Sequence, residues 1–528
     1  MRFVVRLHVR RATTLTIALL SLLALSAAPA LPAAPTAPAV VGPGTPELLH
    51  TFGPLGSQSV FNTQLYHNWL YLSAYDANGI ELWRSDGTVT GTVRLSDLTD
   101  NSVVDSLSVA NNGGVFFGAN PAGVGYELHY SAGQPGDAQR LTDFLGSSDG
   151  LYGYPAVLGN TAYFAAYVSG GNRDLWRSDG TVTGTTHIHD VDPAGLLRLD
   201  NVLLFAGLDA DGYELWRTDG TNGGTWQVRN IWPGATGSLP TMRLAWNHRM
   251  LFTASAEGLG TELWVTDGTG PGTGPVFDIA SGNASSQINS VADSDLGWVY
   301  LLADDGVHGK ELWHTDGTSG GTYMLQDVYI GSTSSSPTGM TAAGGWLYFV
   351  ATDAAHGAEL WRTSGSPAST QLVRDIYTGT TGSSIKALAA HDGLLYFSAD
   401  DGVHGQELWR TDGTYAGTEL VADIVPGPTG SNPNGLAWSY RWLLFAATDA
   451  ANGRELWVSD GVPGGDTHLH ANLEPGNAGS NPICCAVAAG QVYLITQPDG
   501  SSYEGFWGLT VAPFEVTNRV YLPATLRP

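Results

Sequence analysis

Runs of almost continuous apolar residues recur along the chain, each followed by a polar hairpin and a shorter apolar stretch. Examples are WLYFVAT at 346–352 and LLYFSA at 394–399. A strand with one face in water would alternate apolar and polar residues, so these runs indicate strands covered on both faces. Beyond the first forty residues, no segment has the apolar spacing of an amphipathic helix. The pattern predicts an all-β protein.

The repeating unit reads as four short strands. In one unit NGLAWSY (434–440) is the first strand, WLLFAATD (442–449) the second and ELWVSD (455–460) the third, while TELVADI (418–424) shows the fourth. Ten such units of about 48 residues follow one another between residues 45 and 513. Stacked four-stranded sheets of this length are the blades of a β-propeller.

The ends of the repeat region predict how the ring closes. TPELLHTFGPLGSQSV (45–60) aligns with the fourth strand of a unit, and the last unit has no obvious fourth strand. We therefore expect the N-terminal strand to complete the C-terminal blade, which removes an exposed edge. One ring of about ten four-stranded blades is favoured. Two five-bladed rings are the alternative, because propellers commonly have about four to eight blades.

A Glu-Leu-Trp phrase followed by Asp-Gly-Thr marks each third strand and the turn after it. Glu407 and Trp409 are expected on one face of the strand and Leu408 on the other. The tryptophan should fill the interface between blades, and the glutamate should accept a recurring backbone or hydroxyl donor. Asp412-Gly413 is a hairpin signal. The tryptophans at this position are Trp83, Trp176, Trp216, Trp264, Trp313, Trp361, Trp409, Trp457 and Trp507.

The octets ELWRSDGT, ELWRTDGT, ELWVTDGT and ELWHTDGT resemble those of the ELWxxDGT repeat proteins, exported bacterial proteins sometimes labelled hyalin-like. The resemblance covers about residues 45–510. It implies an extracellular repeat protein and brings no established catalytic residues. Unit two departs from the pattern because it lacks the turn sequence, and unit seven has Ser364 where the others have the turn aspartate.

The two ends of the chain read as export and tail segments. Residues 1–30 combine four arginines with an apolar run and small residues, which predicts a cleaved signal peptide. An Ala/Pro-rich linker follows at 31–44, and residues 514–528 form a short tail. We expect a secreted or cell-surface monomer with no membrane span after cleavage, because no later apolar run is long enough.

Charge and cysteine content narrow the function further. The formal net charge is −26, and such an acidic surface repels nucleic acid. The two cysteines, Cys484 and Cys485, are neighbours. They are either two small apolar residues on opposite faces of a strand or a vicinal disulfide, which requires a strained ring because adjacent Cα atoms lie about 3.8 Å apart.

The hairpins between second and third strands are rich in acids, which suits Ca²⁺ because that ion takes oxygen ligands. The best candidate set is Asp209, Asp211 and Glu214. The sequence establishes no cofactor and allows Ca²⁺ here, but a hairpin of this kind also forms without metal.

Histidines recur at two places in the repeat. His308, His356 and His404 share one hairpin position with asparagines, and tolerance of left-handed backbone explains the exchange without metal. Two His-x-His pairs on fourth strands have a geometry that zinc could use, or are ordinary solvated residues. These pairs are His187 with His189 and His468 with His470.

One connection between units is much shorter than the rest. Between units three and four it contracts to DVDPAG (190–195), which explains a repeat spacing of 40 residues. We expect a gap in the rim there, near Tyr152 and Tyr154, with Asp190 and Asp192 on its edge. This gap is the predicted ligand opening.

The periodicity favours a structural or binding role. A glycosidase needs a unique pair of carboxylates, whereas the acids here recur in register. The expected function is a non-catalytic extracellular propeller that acts as a binding or adhesion scaffold for a glycan, a protein or Ca²⁺. The alternative is a propeller enzyme such as a glycosidase or lyase, which predicts a non-periodic acidic or histidine cluster at the central channel.

Overall fold

The computed structural model describes residues 44–510 except 54–59, 99–101, 122–124, 145–149, 168–172, 294–297, 475, 489–490 and 498–503. The predicted signal peptide, almost all of the linker and the predicted tail lie outside these residues. In the described part, no helix has the length and apolar character needed to cross a bilayer.

Within the described residues, forty strands form ten antiparallel sheets of four strands, arranged as blades in one ring. One short 3₁₀ helix, Pro367–Ser369, follows the turn of unit seven. The structure therefore confirms the all-β class and the ten-bladed propeller. It is one ring, not two rings of five blades.

The strands are numbered β1 to β40 in chain order, and the blades by their first strand. Blade 1 comprises β2 (Val60–Tyr66), β3 (Trp69–Asp76), β4 (Gly79–Ser85) and β5 (Val93–Arg94); blade 2, β6 (Val104–Val109), β7 (Val115–Ala119), β8 (Glu127–Ser131) and β9 (Gln139–Arg140); blade 3, β10 (Leu151–Leu158), β11 (Thr161–Tyr167), β12 (Arg173–Ser178) and β13 (Thr186–His189); blade 4, β14 (Asp192–Leu199), β15 (Val202–Asp209), β16 (Gly212–Thr218) and β17 (Trp226–Arg229); blade 5, β18 (Thr241–Trp246), β19 (Arg249–Ala256), β20 (Gly260–Thr266) and β21 (Gly274–Phe277).

The second half of the ring repeats this order. Blade 6 comprises β22 (Ser290–Asp293), β23 (Val299–Asp304), β24 (Lys310–Thr315) and β25 (Tyr323–Met324); blade 7, β26 (Thr338–Ala343), β27 (Trp346–Asp353), β28 (Gly357–Thr363) and β29 (Gln371–Arg374); blade 8, β30 (Lys386–His391), β31 (Leu394–Asp400), β32 (Gln406–Thr411) and β33 (Glu419–Ala422); blade 9, β34 (Asn434–Ser439), β35 (Trp442–Asp449), β36 (Gly453–Ser459) and β37 (Thr467–Ala471); blade 10, β38 (Ile483–Ala488), β39 (Gln491–Thr496), β40 (Glu504–Thr510) and β1 (Glu47–Phe52).

The ring closes as the sequence predicts. Strand β1 pairs antiparallel with β40, with Leu48 opposite Trp507, and so supplies the fourth strand of blade 10. Phe52 then packs edge-on against Trp83 of blade 1, with the ring centroids 5.1 Å apart. The two ends of the repeat region are thereby joined in one sheet, in which β40 is paired on both sides and is not an edge strand.

First strands of neighbouring blades contact one another, as β6 with β10 and β10 with β14. They therefore line the centre of the ring, and the fourth strands lie at its outer edge. We call the face with the hairpins between second and third strands, and with the connections between blades, the upper face. The lower face carries the hairpins that join first to second and third to fourth strands.

The recurring tryptophans pack between blades, as expected. Ten hydrophobic clusters of described residues each join two neighbouring blades. In one of them Trp264 of blade 5 is 3 % exposed and packs with Leu204, Leu215 and Val228 of blade 4. In blade 2, His129 takes the tryptophan position and stacks on Phe117 at 5.4 Å between centroids. Burial lowers the pKa of His129 to about 4.

In eight blades the recurring glutamate ties the blade to the connection that leads to the next. Glu214 is fully buried. Its carboxylate accepts hydrogen bonds from the backbone N–H groups of Ile231 (2.7 Å), Trp232 (3.0 Å) and Ser238 (3.0 Å), and from the Ser238 hydroxyl (2.7 Å). The predicted donors are therefore present. In the equivalent Glu262, burial raises the pKa to about 7, although hydrogen bonds from Ser286, Ile279 and Ala280 act to lower it.

The Asp-Gly-Thr turn is also built as predicted. The Asp412 carboxylate accepts hydrogen bonds from the Thr414 backbone N–H (2.8 Å) and hydroxyl (2.7 Å), which lower its pKa. Gly413 has φ of 91°, a conformation that glycine adopts without strain. The aspartate carboxylate thus finds its hydrogen-bond donors within the turn itself.

Candidate functional site

The short connection between blades 3 and 4 leaves a gap in the upper rim. Strand β13 ends at His189 and β14 begins at Asp192, whereas the next connection runs from Arg229 to Thr241. Blade 3 also has Asp174 where eight other blades have the recurring glutamate. The exception has a physical reason, because the long connection that this glutamate would hold is missing here.

Four side chains from blades 3 and 4 meet at this gap, and we call Tyr152, Arg173, Asp192 and Tyr213 the gap cluster. The Arg173 guanidinium binds Asp192 with two prongs, Nε to Oδ1 at 2.7 Å and Nη2 to Oδ2 at 2.7 Å. The Tyr213 hydroxyl donates to Asp192 Oδ2 at 2.9 Å and accepts from Arg173 Nη2 at 3.1 Å. A hydrogen bond between charged groups, such as that from Nη2 to Oδ2, is stronger than one between neutral groups.

The exposed part of the gap cluster is aromatic. The Arg173 guanidinium carbon lies 3.9 Å from the Tyr152 ring centroid, within the range of a cation–π contact. Tyr152 is 49 % exposed and Tyr154 is 55 % exposed. Between them Gly153 has φ of 70°, and the pairing of β10 with β11 shifts register over this stretch. A bulge re-aims the side chains of its strand, and here two tyrosines reach the solvent.

The support beneath these tyrosines stays charged and ordered. The side chains of Arg173 and Asp192 are 13 % and 15 % exposed. Burial opposes the charge on Arg173, but hydrogen bonding to Asp192 outweighs it and raises the pKa of Arg173. Burial, together with the same carboxylate, raises the pKa of the Tyr213 hydroxyl. The cluster is therefore a fixed ion pair that carries an aromatic surface.

Of the four predicted rim residues, the structure joins Tyr152 and Asp192 through Arg173 and places Tyr154 beside them on β10. Asp190 instead contacts His187. Sequence reasoning missed Arg173 and Tyr213. A signal was present, since Arg173 stands directly before the one third-strand acid that is aspartate instead of glutamate.

A second non-periodic group lies on the outer strands of blade 3. His187 Nε2 is 2.9 Å from Asp190 Oδ1 and 3.4 Å from Asp174 Oδ2. Among the described residues this is the only trio of acids, histidines or cysteines whose ligand atoms all lie within 4.8 Å of one another. His189, the expected zinc partner of His187, packs against Trp216 instead, with ring centroids 5.5 Å apart.

The two histidines of the other pair, His468 and His470, also contact different partners. His468 Nδ1 lies 2.7 Å from Asp466 Oδ1, and His470 Nε2 lies 2.9 Å from the Gly44 carbonyl. Each ring has its own partner in the protein, so the two do not converge on one point.

The three residues expected to hold Ca²⁺ do not converge either. Glu214 accepts four hydrogen bonds inside the fold. Asp209 Oδ1 accepts from the Asp211 backbone N–H at 2.8 Å, and Asp211 Oδ2 accepts from the Asn230 amide at 3.0 Å. The two aspartates lie at the hairpin tip, while Glu214 lies further along β16 and faces the interior.

The recurring hairpin histidines correct one sequence interpretation. His404 Nδ1 lies 2.7 Å from Asp401 Oδ2, and Asn452 Nδ2 donates to Asp449 Oδ2 at 2.8 Å. Neither His404 nor Asn452 has positive φ. The shared property is therefore a side-chain nitrogen that reaches the aspartate three residues earlier. Left-handed backbone was the wrong reason for the exchange.

The cysteines lie in β38 of blade 10. Their side chains fall outside the described residues, so the choice between a vicinal disulfide and two packed thiols stays a prediction.

Comparisons with known proteins give a weak structural likeness. No protein-family model matches the chain, and no curated protein matches it. The designed Ika8 protein is 14 % identical, with 78 % of this chain and 96 % of that chain covered and a TM-score of 0.30. Oligopeptidase B from Leishmania major is 11 % identical, with 66 % and 54 % covered and a TM-score of 0.38. Puromycin hydrolase is 15 % identical, with 66 % and 59 % covered and a TM-score of 0.28.

The chain thus spans little more than half the length of these two enzymes. At TM-scores this low, the likeness carries no argument about activity or ligand.

Proposed function

We propose that the protein is an exported, non-catalytic binding scaffold that contacts an extracellular protein through the tyrosine surface at the gap. One observation carries the proposal: where the repeat breaks, Tyr152 and Tyr154 are both exposed, and Tyr152 rests on the Arg173 guanidinium that pairs with Asp192. The fully described connections between other blades are longer, as between Arg229 and Thr241.

The chemistry of this surface suits protein recognition. Tyrosine and arginine are enriched at the centres of interfaces, and the large, stiff side chain of tyrosine loses little entropy on binding. Tyr152 is held from beneath by Arg173, so its ring is already ordered before a ligand arrives. Arg173 and Asp192 already pair with each other beneath this surface, so the exposed tyrosine rings are the contact groups.

The use of the acids supports a role without catalysis. The recurring glutamates are buried and accept hydrogen bonds from the connections, and the turn aspartates accept from their own turns. In the non-periodic trio, Asp174 and His187 lie on the third and fourth strands of blade 3, and Asp190 directly follows the fourth. It is therefore away from the central channel, where a propeller enzyme was expected to place its cluster.

Binding of labelled protein to intact cells of the exporting bacterium tests this function. Tyr152→Ala/Tyr154→Ala is expected to lose binding, while Tyr415→Ala should bind like wild type, since Tyr415 is 67 % exposed but lies elsewhere on the ring. A glycan array probed with Ca²⁺ and with EDTA examines the other ligand classes. Equal cell binding by the double variant would exclude the gap as the contact surface.

A further inference from the structure

One hairpin on the lower face departs from the chemistry of its neighbours. The turn between first and second strands is Gly344-Gly345 in blade 7 and Asp392-Gly393 in blade 8, but Tyr440-Arg441 in blade 9. Tyr440 has φ of 58°. Two-residue hairpins favour asparagine, aspartate or glycine at left-handed positions, and a bulky residue there is strained. Strain of this kind concentrates at functional sites.

Tyr440 borders an open cleft of about 400 Å³ between blades 8 and 9. This volume lies within the range of small-ligand pockets, about 300–1,000 Å³. The floor contains Trp438, which stacks on His391 with centroids 3.9 Å apart and planes at 7°. The position of Trp438 is an alanine in blade 8, Ala390, so this aromatic floor is particular to blade 9. Tyr440 above it is 60 % exposed.

The rim of the cleft carries polar groups that the fold leaves available. Arg441 forms no hydrogen bond or ion pair within the described structure; its guanidinium carbon lies 5.9 Å from the Trp442 ring centroid. Asp460 accepts one hydrogen bond, at Oδ1 from the Val462 backbone N–H at 2.9 Å. The Asp392 side chain is 89 % exposed. Burial lowers the pKa of His391, which favours a neutral ring.

We propose that this cleft binds a neutral hexopyranose unit of a glycan. A sugar ring presents C–H groups on one face, which match an exposed aromatic ring, and hydroxyls around its edge, which match guanidinium and carboxylate groups. The two carboxylates outweigh the one guanidinium, and the chain carries a net charge of −26. Anionic ligands are therefore disfavoured. The site lies on the face opposite the gap cluster and does not depend on the proposed function.

Saturation-transfer NMR of the full-length protein with the methyl glycosides of glucose, galactose, mannose and N-acetylglucosamine tests the proposal. Wild type should transfer signal to at least one of them. Tyr440→Gly should lose about fivefold in affinity, because the loss of one aromatic contact is worth about 1 kcal/mol. The same variant should melt at a higher temperature, since glycine relieves the strained turn.

If the melting temperature of Tyr440→Gly rises, a loss of binding in this variant cannot be ascribed to unfolding. Arg441→Gln, which leaves Tyr440 in place, should also weaken binding, whereas Tyr415→Ala is the control for an exposed tyrosine outside the cleft. The proposal is overturned if wild type gives no transfer to any of these glycosides, or if Tyr440→Gly binds them as wild type does.

Discussion

Arg173 and Asp192 form a two-pronged ion pair across the interface of blades 3 and 4, with two N–O contacts of 2.7 Å. This is where the connection between blades is shortest. The pair takes the place of the glutamate and long connection that join other blades, and it orders the surface of Tyr152. A single contact therefore serves both the continuity of the ring and the candidate binding surface.

Removing the carboxylate of this pair should destabilise the fold. Asp192→Ala leaves a largely buried guanidinium without its partner, and we expect a loss of about 1–3 kcal/mol in the free energy of unfolding. Urea denaturation measures it, and a cycle with Arg173→Ala isolates the coupling between the two residues. Glu419→Ala is the matched control, because Glu419 pairs with Arg410 but its side chain is 41 % exposed. An effect equal to that of the control would refute the structural role of the pair.

The glutamate that holds each connection should be sensitive to a change of one atom. Glu214→Gln replaces an accepting oxygen by an NH₂ group that faces backbone N–H donors. We expect a loss of about 2–4 kcal/mol in the free energy of unfolding. Asp211→Asn, at the exposed hairpin tip, should change stability by less than about 0.5 kcal/mol. Comparable urea midpoints for the two variants would show that the buried hydrogen bonds are not what holds the connection.

The tryptophans between blades should stabilise the fold by filling space between the sheets and not by hydrogen bonding. Trp264 is 3 % exposed, and its Nε1 has no hydrogen-bonding partner in the described structure. Trp264→Ala should cost about 3–5 kcal/mol, while Trp264→Phe keeps a ring, breaks no hydrogen bond and should cost clearly less. Thermal and urea unfolding of both variants gives the comparison. Equal losses would mean that the indole nitrogen has a partner after all, such as a buried water.

The sequence was informative wherever the repeat was regular. Glu214 and Trp264 stand at positions that recur in most units, so one pattern predicted their burial, their partners and the ring that they build. Closure by β1 was also predictable, because the first strand of the repeat region has the pattern of a fourth strand.

The site was only partly predictable, because it depends on contacts that the repeat does not contain. Tyr152 and Asp192 were expected at the gap, but their link through Arg173 requires three residues from two blades to meet. Asp209 and Glu214 are close in sequence yet lie at the tip and in the interior of one hairpin. Spacing along a strand does not reveal which carboxylates already have donors in the fold.

The hairpin histidines should make the stability of the fold depend on pH, and the direction of that dependence follows from their pKa shifts. Hydrogen bonding to Asp305, Asp353 and Asp401 raises the pKa of each partner histidine above 6.5. A raised pKa in the folded state means that the added stability is fully present below pH 6.5 and is lost as the pH rises through the folded pKa. Because these rings are about one-third exposed, the effect per site should be small. The histidines are His308, His356 and His404.

The natural replacement supplies the variant that tests this dependence. The triple change of these histidines to asparagine copies Asn452, which keeps the hydrogen bond to its aspartate and does not titrate. Urea unfolding from pH 5.5 to 8 should show a steeper loss of stability in wild type than in the triple variant, and NMR should place all three histidine pKa values above 6.5. The burial-raised pKa of Glu262, about 7, remains in both proteins and so cancels in the comparison. Parallel pH profiles would show that the histidine–aspartate contacts do not form in solution.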